Sequence, residues 1–199
     1  MSSGLSVYAV SIDQLKRVLG SRDPRWIKAV QENAASLIES VDDIQTADEE
    51  GEEPHTCGEA VAHLINGETS EALPGSLYGF ALEAICSEVG EFAGDACPIN
   101  RVSGFVEWLD EGLAAHGVPV RMEKLIFGTD PVPLPDRDEN PLIGWWSPEE
   151  CAAAAAAFRN VDLVTAEADA EMRESLEQVL EWVQQAAATP GMSIVGFLA

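Results

Sequence analysis

The chain has 199 residues, 46% of them apolar, and a formal charge of −24 from 35 acids against 11 bases. A chain of that length can bury a core without disulfides or metals, and that charge repels nucleic acid and anionic membranes. No segment approaches the ~20 apolar residues that span a bilayer. The opening MSSGLSVYAVSIDQLK lacks the early basic residue and long apolar stretch of a signal peptide, so a cytoplasmic location is expected.

Residues 4–10, GLSVYAV, read as a strand with apolar residues on both faces, which predicts a central or well-covered position. Ser11 and Gln14 have capping-box spacing, and the short helix they open stops at Gly20. Asp23-Pro24 starts a second helix. Its stripe of Trp26, Ile27, Val30, Ala34, Leu37, Ile38 and Val41 carries it to about Asp42. The stretch 45–56 breaks the pattern and reads as a solvated acidic loop.

Thr56 to Asn66 reads as a helix stopped by Gly67, and Tyr78 to Val89 as a deeply buried one with few polar positions. Residues 90–98 read as a loop and Ile99 to His116 as a helix. Residues 118–127 alternate at first and suggest a strand. Five prolines between 119 and 141 rule out a long helix there, so 128–143 is an extended loop packed on the surface. Ser147-Pro148-Glu149-Glu150 combines a cap, a first-turn proline and a capping box ahead of the alanine-rich helix 148–159. A last helix spans about Glu167 to Ala188, with Met172, Leu176, Val179, Leu180 and Val183 inward. After Pro190-Gly191 the closing SIVGFL is a strand.

Strands at both ends with helices between them predict a small sheet shared by the two terminal strands. The expected fold is a mostly helical α+β single domain over residues 1–199, since strict βαβ alternation and any dividing linker are absent. The segments GLSVYAVSIDQL, YGFALEAIC, PVPLP, GWWSPEECAAAAAAF and the closing AAATPG with SIVGFLA resemble an uncharacterised family of actinobacterial proteins. More distantly, the S-P-E-E helix start and the C-terminal helix-strand unit resemble the YfbM-like family of unknown function. The resemblance implies an α+β fold and no activity.

No G-x-S-x-G, P-loop, strand-borne G-x-G-x-x-G or H-E-x-x-H occurs, and no cofactor is expected. Glu107 with Glu111, or Glu149 with Glu150, could be cast as an acid and base, but these read as solvated helix faces. Cys57, Cys86, Cys97 and Cys151 lack C-x-x-C spacing and read as free thiols in a reducing compartment. His55, Cys57 and His63 are the one conceivable ligand set, without a standard metal spacing. Trp145 and Trp146, with Tyr78, Phe80, Trp26 and Trp108, either anchor the core or line a pocket for a flat ligand.

The distribution of charge is the strongest functional signal. Sixteen acids and no Lys or Arg lie between Lys28 and Arg101. Eight of them fall within 39–53: Glu39, Asp42, Asp43, Asp48, Glu49, Glu50, Glu52 and Glu53. The reading is a non-enzymatic domain that uses this run to bind a basic protein, as an immunity-like or inhibitor-like protein does, with neither nucleic acid nor membrane as partner. The rival is a small-molecule-binding protein or enzyme with an aromatic-lined pocket near Tyr78, Trp145 and Trp146.

Overall fold

The computed structural model describes residues 4–45, 55–96, 104–137, 140–161 and 170–199. In chain order the elements are β1 (Leu5–Val10), α1 (Ile12–Val18), α2 (Pro24–Asn33), α3 (Ala35–Gln45), α4 (Cys57–Asn66), α5 (Gly75–Val89), β2 (Glu91–Ala96), α6 (Phe105–Ala115), α7 (Met122–Phe127), β3 (Leu142–Trp146), α8 (Pro148–Phe158), α9 (Ala170–Ala188) and β4 (Ser193–Leu198). The α+β class and the shared terminal strands are as expected. The chain folds as two compact units, and neither is one continuous stretch. A sheet unit takes Met1–Val10, Phe92–Pro131 and Leu142–Ala199, and a helical unit takes Ser11–Glu91 and Val132–Pro141.

In the sheet unit the strand order is β2-β1-β4-β3. β4 lies antiparallel between β1 and β3, with Leu5 opposite Leu198, Ala9 opposite Ile194 and Gly144 opposite Gly196. The period of two puts Leu5, Val7, Ala9, Ile194, Leu198 and Trp146 on one face. That face meets the buried stripes of α6, α7, α8 and α9 in a continuous apolar core. Ser193, Val195 and Phe197 on the opposite face of β4 are buried as well. Tyr8 meets Phe197 and Phe92 edge-on at 5.9 and 5.5 Å.

Where β3 and β4 pair, two glycines face each other and α7 lies flush against them. A Cβ on Gly144 would stand 2.2 Å from the Lys124 carbonyl oxygen, and one on Gly196 would stand 2.9 Å from Leu125 Cγ. The position of α7 is therefore set by the absence of side chains beneath it.

One buried polar atom in this unit stands out. Ser193 Oγ is fully buried and has no hydrogen-bond partner among the described residues. A buried hydroxyl without a partner opposes folding. Ser193→Ala should therefore be neutral or raise stability by up to about 1 kcal/mol. A urea denaturation midpoint below wild type would contradict this.

The helical unit is organised around α5. Ten of its 15 residues are buried, and α1, α2, α3 and α4 all pack on it. The scarcity of polar positions between Leu77 and Val89 already pointed to this role. Gly75 and Gly79, one turn apart, let Asp136, Arg137 and Pro141 come close to the start of α5. A Cβ on Gly75 would stand 2.0 Å from the Asp136 carbonyl oxygen, and one on Gly79 would stand 2.8 Å from the Pro141 ring. Asp136 and Pro141 of the proline-rich segment thus pack against α5.

Several elements differ from the sequence expectation. The helix from Pro24 is two helices, broken at Ala34 with φ −100° and ψ 19°. The apolar stripe runs through the break, since Val30, Ala34, Ile38 and Val41 are all buried. Residues 91–96, expected as loop, form β2, and 142–146 form β3 ahead of the Ser147 cap. The expected strand within 118–127 is instead the helix α7 from Met122. The helix expected from Ile99 starts at Phe105, after Gly104 at φ 87°, and the residues 97–103 before it lie outside the described ones. Trp182 and Ala186 join the buried stripe of α9, with Met172 and Leu180 partly buried against the same core.

Candidate functional site

The acidic run begins on α3. Glu39 and Asp43 are exposed there and Asp42 is half-buried. Asp48, Glu49, Glu50, Glu52 and Glu53 lie outside the described residues. Asp42 has a structural task, because its Oδ1 accepts the Cys57 backbone N–H at 2.7 Å. That N–H belongs to the first turn of α4, whose donors have no intrahelical acceptor. Thr56 and Glu59 complete the start of α4 as a reciprocal capping box, Glu59 N to Thr56 Oγ1 at 3.1 Å and Thr56 N to Glu59 Oε2 at 3.0 Å. The two ends of the segment 43–56 are thereby tied together. Six of the seven other acids predicted to meet a partner fall within that span, and Glu39 lies one turn before it.

His55, Cys57 and His63 are not assembled as ligands. Among the described residues no group of three His, Cys, Asp or Glu side chains is placed to hold a metal ion. Cys57 is buried at the start of α4, and His63 is engaged elsewhere, with Nδ1 2.9 Å from the Tyr78 hydroxyl. The Ser70 backbone N–H donates to the same phenol oxygen at 2.8 Å.

A cleft of about 550 Å³ is lined by Thr69, Ser70, Glu71, Ala72, Leu73, Pro74, Gly75, Pro135 and Asp136. Ser70 links it to Tyr78. Its carboxylates, Glu71 and Asp136, are both exposed, and among the described residues no cationic side chain lines it. The lining mixes apolar Ala72, Leu73, Pro74 and Pro135 with polar Thr69 and Ser70 and the two carboxylates, and the carboxylates favour a cationic group. The sequence reading did not find this cleft. Its signal was present as Pro74-Gly75 beside Glu71 and as the Pro135-Asp136 run, but nothing local says that these two segments meet.

The aromatic candidates divide between the two units. Tyr78 is fully buried in the helical unit, and Trp146 is fully buried in the core of the sheet unit. The indole N–H of Trp146 donates to the Arg121 carbonyl at 2.9 Å. Trp145 is half-buried, with Lys124 Nζ 6.0 Å from its ring centre. Lys124 also pairs with both oxygens of Glu150, at 2.6 and 2.7 Å. Glu150 accepts the Ser147 N–H at 2.8 Å as part of its capping box. Burial raises the Glu150 carboxyl, but the hydrogen bonds from Lys124 and Ser147 outweigh it and hold the group below its ordinary value. Glu150 is thus committed to the helix start, and Glu107 and Glu111 stand exposed.

The described cysteines are free and buried. Burial, with Asp42 and Glu83 nearby, pushes the Cys57 thiol up to about 12. Burial pushes Cys151 up to about 11 and raises Cys86 as well. At neutral pH these thiols are protonated and unreactive. A raised thiol stabilises the fold fully below its unfolded value near 9.0, and that contribution fades as pH climbs toward 11 to 12. The urea midpoint of a Cys97→Ser variant should therefore fall between pH 9 and 11, and thiol labelling at pH 7 should wait for unfolding. Rapid labelling of the native chain at pH 7 would contradict this assignment.

No helix among the described residues is long and apolar enough to cross a membrane. Against known families, the one described as a domain of unknown function (DUF7691) matches residues 1–199. No curated protein and no solved structure matches the chain.

Proposed function

We propose that this chain, which belongs along its whole length to the DUF7691 family of domains of unknown function, is an acidic, non-catalytic protein-binding domain with a basic protein as partner. The observation that carries this reading is the charge run of sixteen acids without Lys or Arg between Lys28 and Arg101. Glu39, Asp43, Glu59, Glu68 and Glu71 within it are exposed. A field of one sign accelerates encounter with an opposite charge and rejects like-charged surfaces. The cleft at Glu71 and Asp136 adds a concave place for a lysine or arginine side chain. The specific form is an immunity-like or inhibitor-like protein acting in the cytoplasm, where free buried thiols are at home. The distant YfbM-like resemblance belongs to the same proposal and concerns fold alone.

A second reading is a small-ligand protein or enzyme. It draws on the cleft, whose Ser70 is hydrogen-bonded to Tyr78. Capture from the native host with wild type and with an E39Q/D43N/E68Q/E71Q variant separates the two. The protein-binding reading expects basic proteins to be recovered by wild type and lost with the variant. Equal recovery by both, or a neutral or acidic set of captured proteins, contradicts it.

A further inference from the structure

β2 ends the sheet, so one of its edges has no strand neighbour among the described residues. Such an edge offers backbone groups to any passing strand unless something covers it. The sequence EFAGDA contains no Pro or Lys to deter pairing, and Phe92 is 58% exposed. Two glutamines of α9 reach its backbone. Gln178 Nε2 donates to the Asp95 carbonyl at 2.7 Å, and Gln185 Nε2 donates to the Phe92 carbonyl at 3.4 Å. Between them, Trp182 sits against Gly94, where an added Cβ would stand 3.0 Å from the indole nitrogen. Residues 178, 182 and 185 recur at steps of four and three, so they share one face of the helix.

The backbone of β2 is shaped to meet that face. Carbonyls three residues apart in a regular strand point to opposite sides. Those of Phe92 and Asp95 both reach α9, so the strand must turn between them. Gly94 does this at φ 146°, a conformation that side chains disfavour. Gly94 thus serves twice, as the turn and as the seat for Trp182.

We propose that Gln178, Trp182 and Gln185 are a latch by which α9 occupies the edge of β2 and keeps a second copy of this chain from adding a strand there. A second copy is the natural intruder because an antiparallel edge is self-complementary under a two-fold axis. The charge of −24 opposes such pairing at low salt, and the latch is what remains when salt screens it.

The test is sedimentation velocity in high salt over a wide range of protein concentration, for wild type, Q178A/Q185A and the control Q184A, whose side chain is exposed. Hydrogen exchange of the strand amides is followed in parallel on dilute samples. The double variant should approach twice the wild-type mass with rising concentration. Its β2 amides should exchange about tenfold faster, with β1 and β4 unchanged. Q178A alone, which loses only the shorter bond, should show the same changes in smaller degree and serves if the double variant does not fold. Both changes are required. An unchanged mass, or exchange rising equally in all strands, overturns the latch.

Discussion

Gly144→Ala is expected to destabilise the chain by about 3 kcal/mol, the upper end of what overpacking costs. The new methyl would stand 2.2 Å from the Lys124 carbonyl oxygen and 2.7 Å from the Leu125 carbonyl carbon. Both are backbone atoms, so no rotamer change relieves the clash. α7 must lift from the sheet, and two buried contacts lift with it. Leu125 leaves the β3–β4 surface, and Trp146 loses the Arg121 carbonyl that holds its indole N–H. Gly196→Ala, whose methyl would stand 2.9 Å from Leu125 Cγ and 3.0 Å from the Leu125 carbonyl oxygen, should cost less because both approaches are longer. Urea denaturation of the two variants checks the order, and equal midpoints with wild type would contradict the close approach of α7.

Asp110→Ala should cost about 3 kcal/mol, because it leaves the buried Met122 amide and the part-buried Glu123 amide without their acceptor. Asp110 lies on α6 and is 8% exposed. Its carboxylate accepts the Met122 N–H at 2.5 Å and the Glu123 N–H at 3.3 Å. These are the first donors of α7, and Arg121 ahead of them provides no side-chain cap. The six-residue helix therefore takes its cap from another helix. Asp110→Asn keeps one carbonyl oxygen and should lose roughly half as much, in the ~1–2 kcal/mol range of an ordinary cap. Arg121 retains Glu123 at 2.7 Å in either variant, so its loss from Asp110 adds little. A far-ultraviolet melt and a denaturant titration measure both. An alanine variant as stable as wild type would show that the cap is dispensable.

Asp110 also explains why α7 was not legible. Its sequence, VPVRMEKLIF, carries no local helix start, and the alternation at 118–120 points to a strand. The signal that decides the matter sits eleven to thirteen residues upstream and acts only once α6 has folded. Elements with their signals in place were read well. Ser147-Pro148 with Glu150 marks α8, the Thr56–Asn66 stretch stopped by Gly67 marks α4, and the period of two marks β1 and β4. β2 was missed because its EFAGDA has one large apolar residue, and its pairing depends on β1 lying beside it. β3 was hidden by the stronger helix signal that follows it.

For the candidate site the sequence yielded charge and little geometry. The sixteen-acid run is visible by inspection. That Asp42 would spend its carboxylate on the Cys57 amide is not, since it needs the end of α3 beside the start of α4. That Glu71 and Asp136 would flank one cleft depends on Gly75 and Gly79 admitting a segment sixty residues away. Trp145 and Trp146 had two readings, and the alternation of β3 separates them, sending Trp146 into the core and leaving Trp145 half-covered beside Lys124.

Charge-driven recognition is tested most directly by the rate at which a captured basic protein associates with this chain, measured by stopped flow from low to high ionic strength. The account predicts a rate near the steered range of about 10⁸ M⁻¹s⁻¹ at low salt, falling by about two orders of magnitude as salt screens the field. A rate that is the same at both ends of the salt range would contradict it.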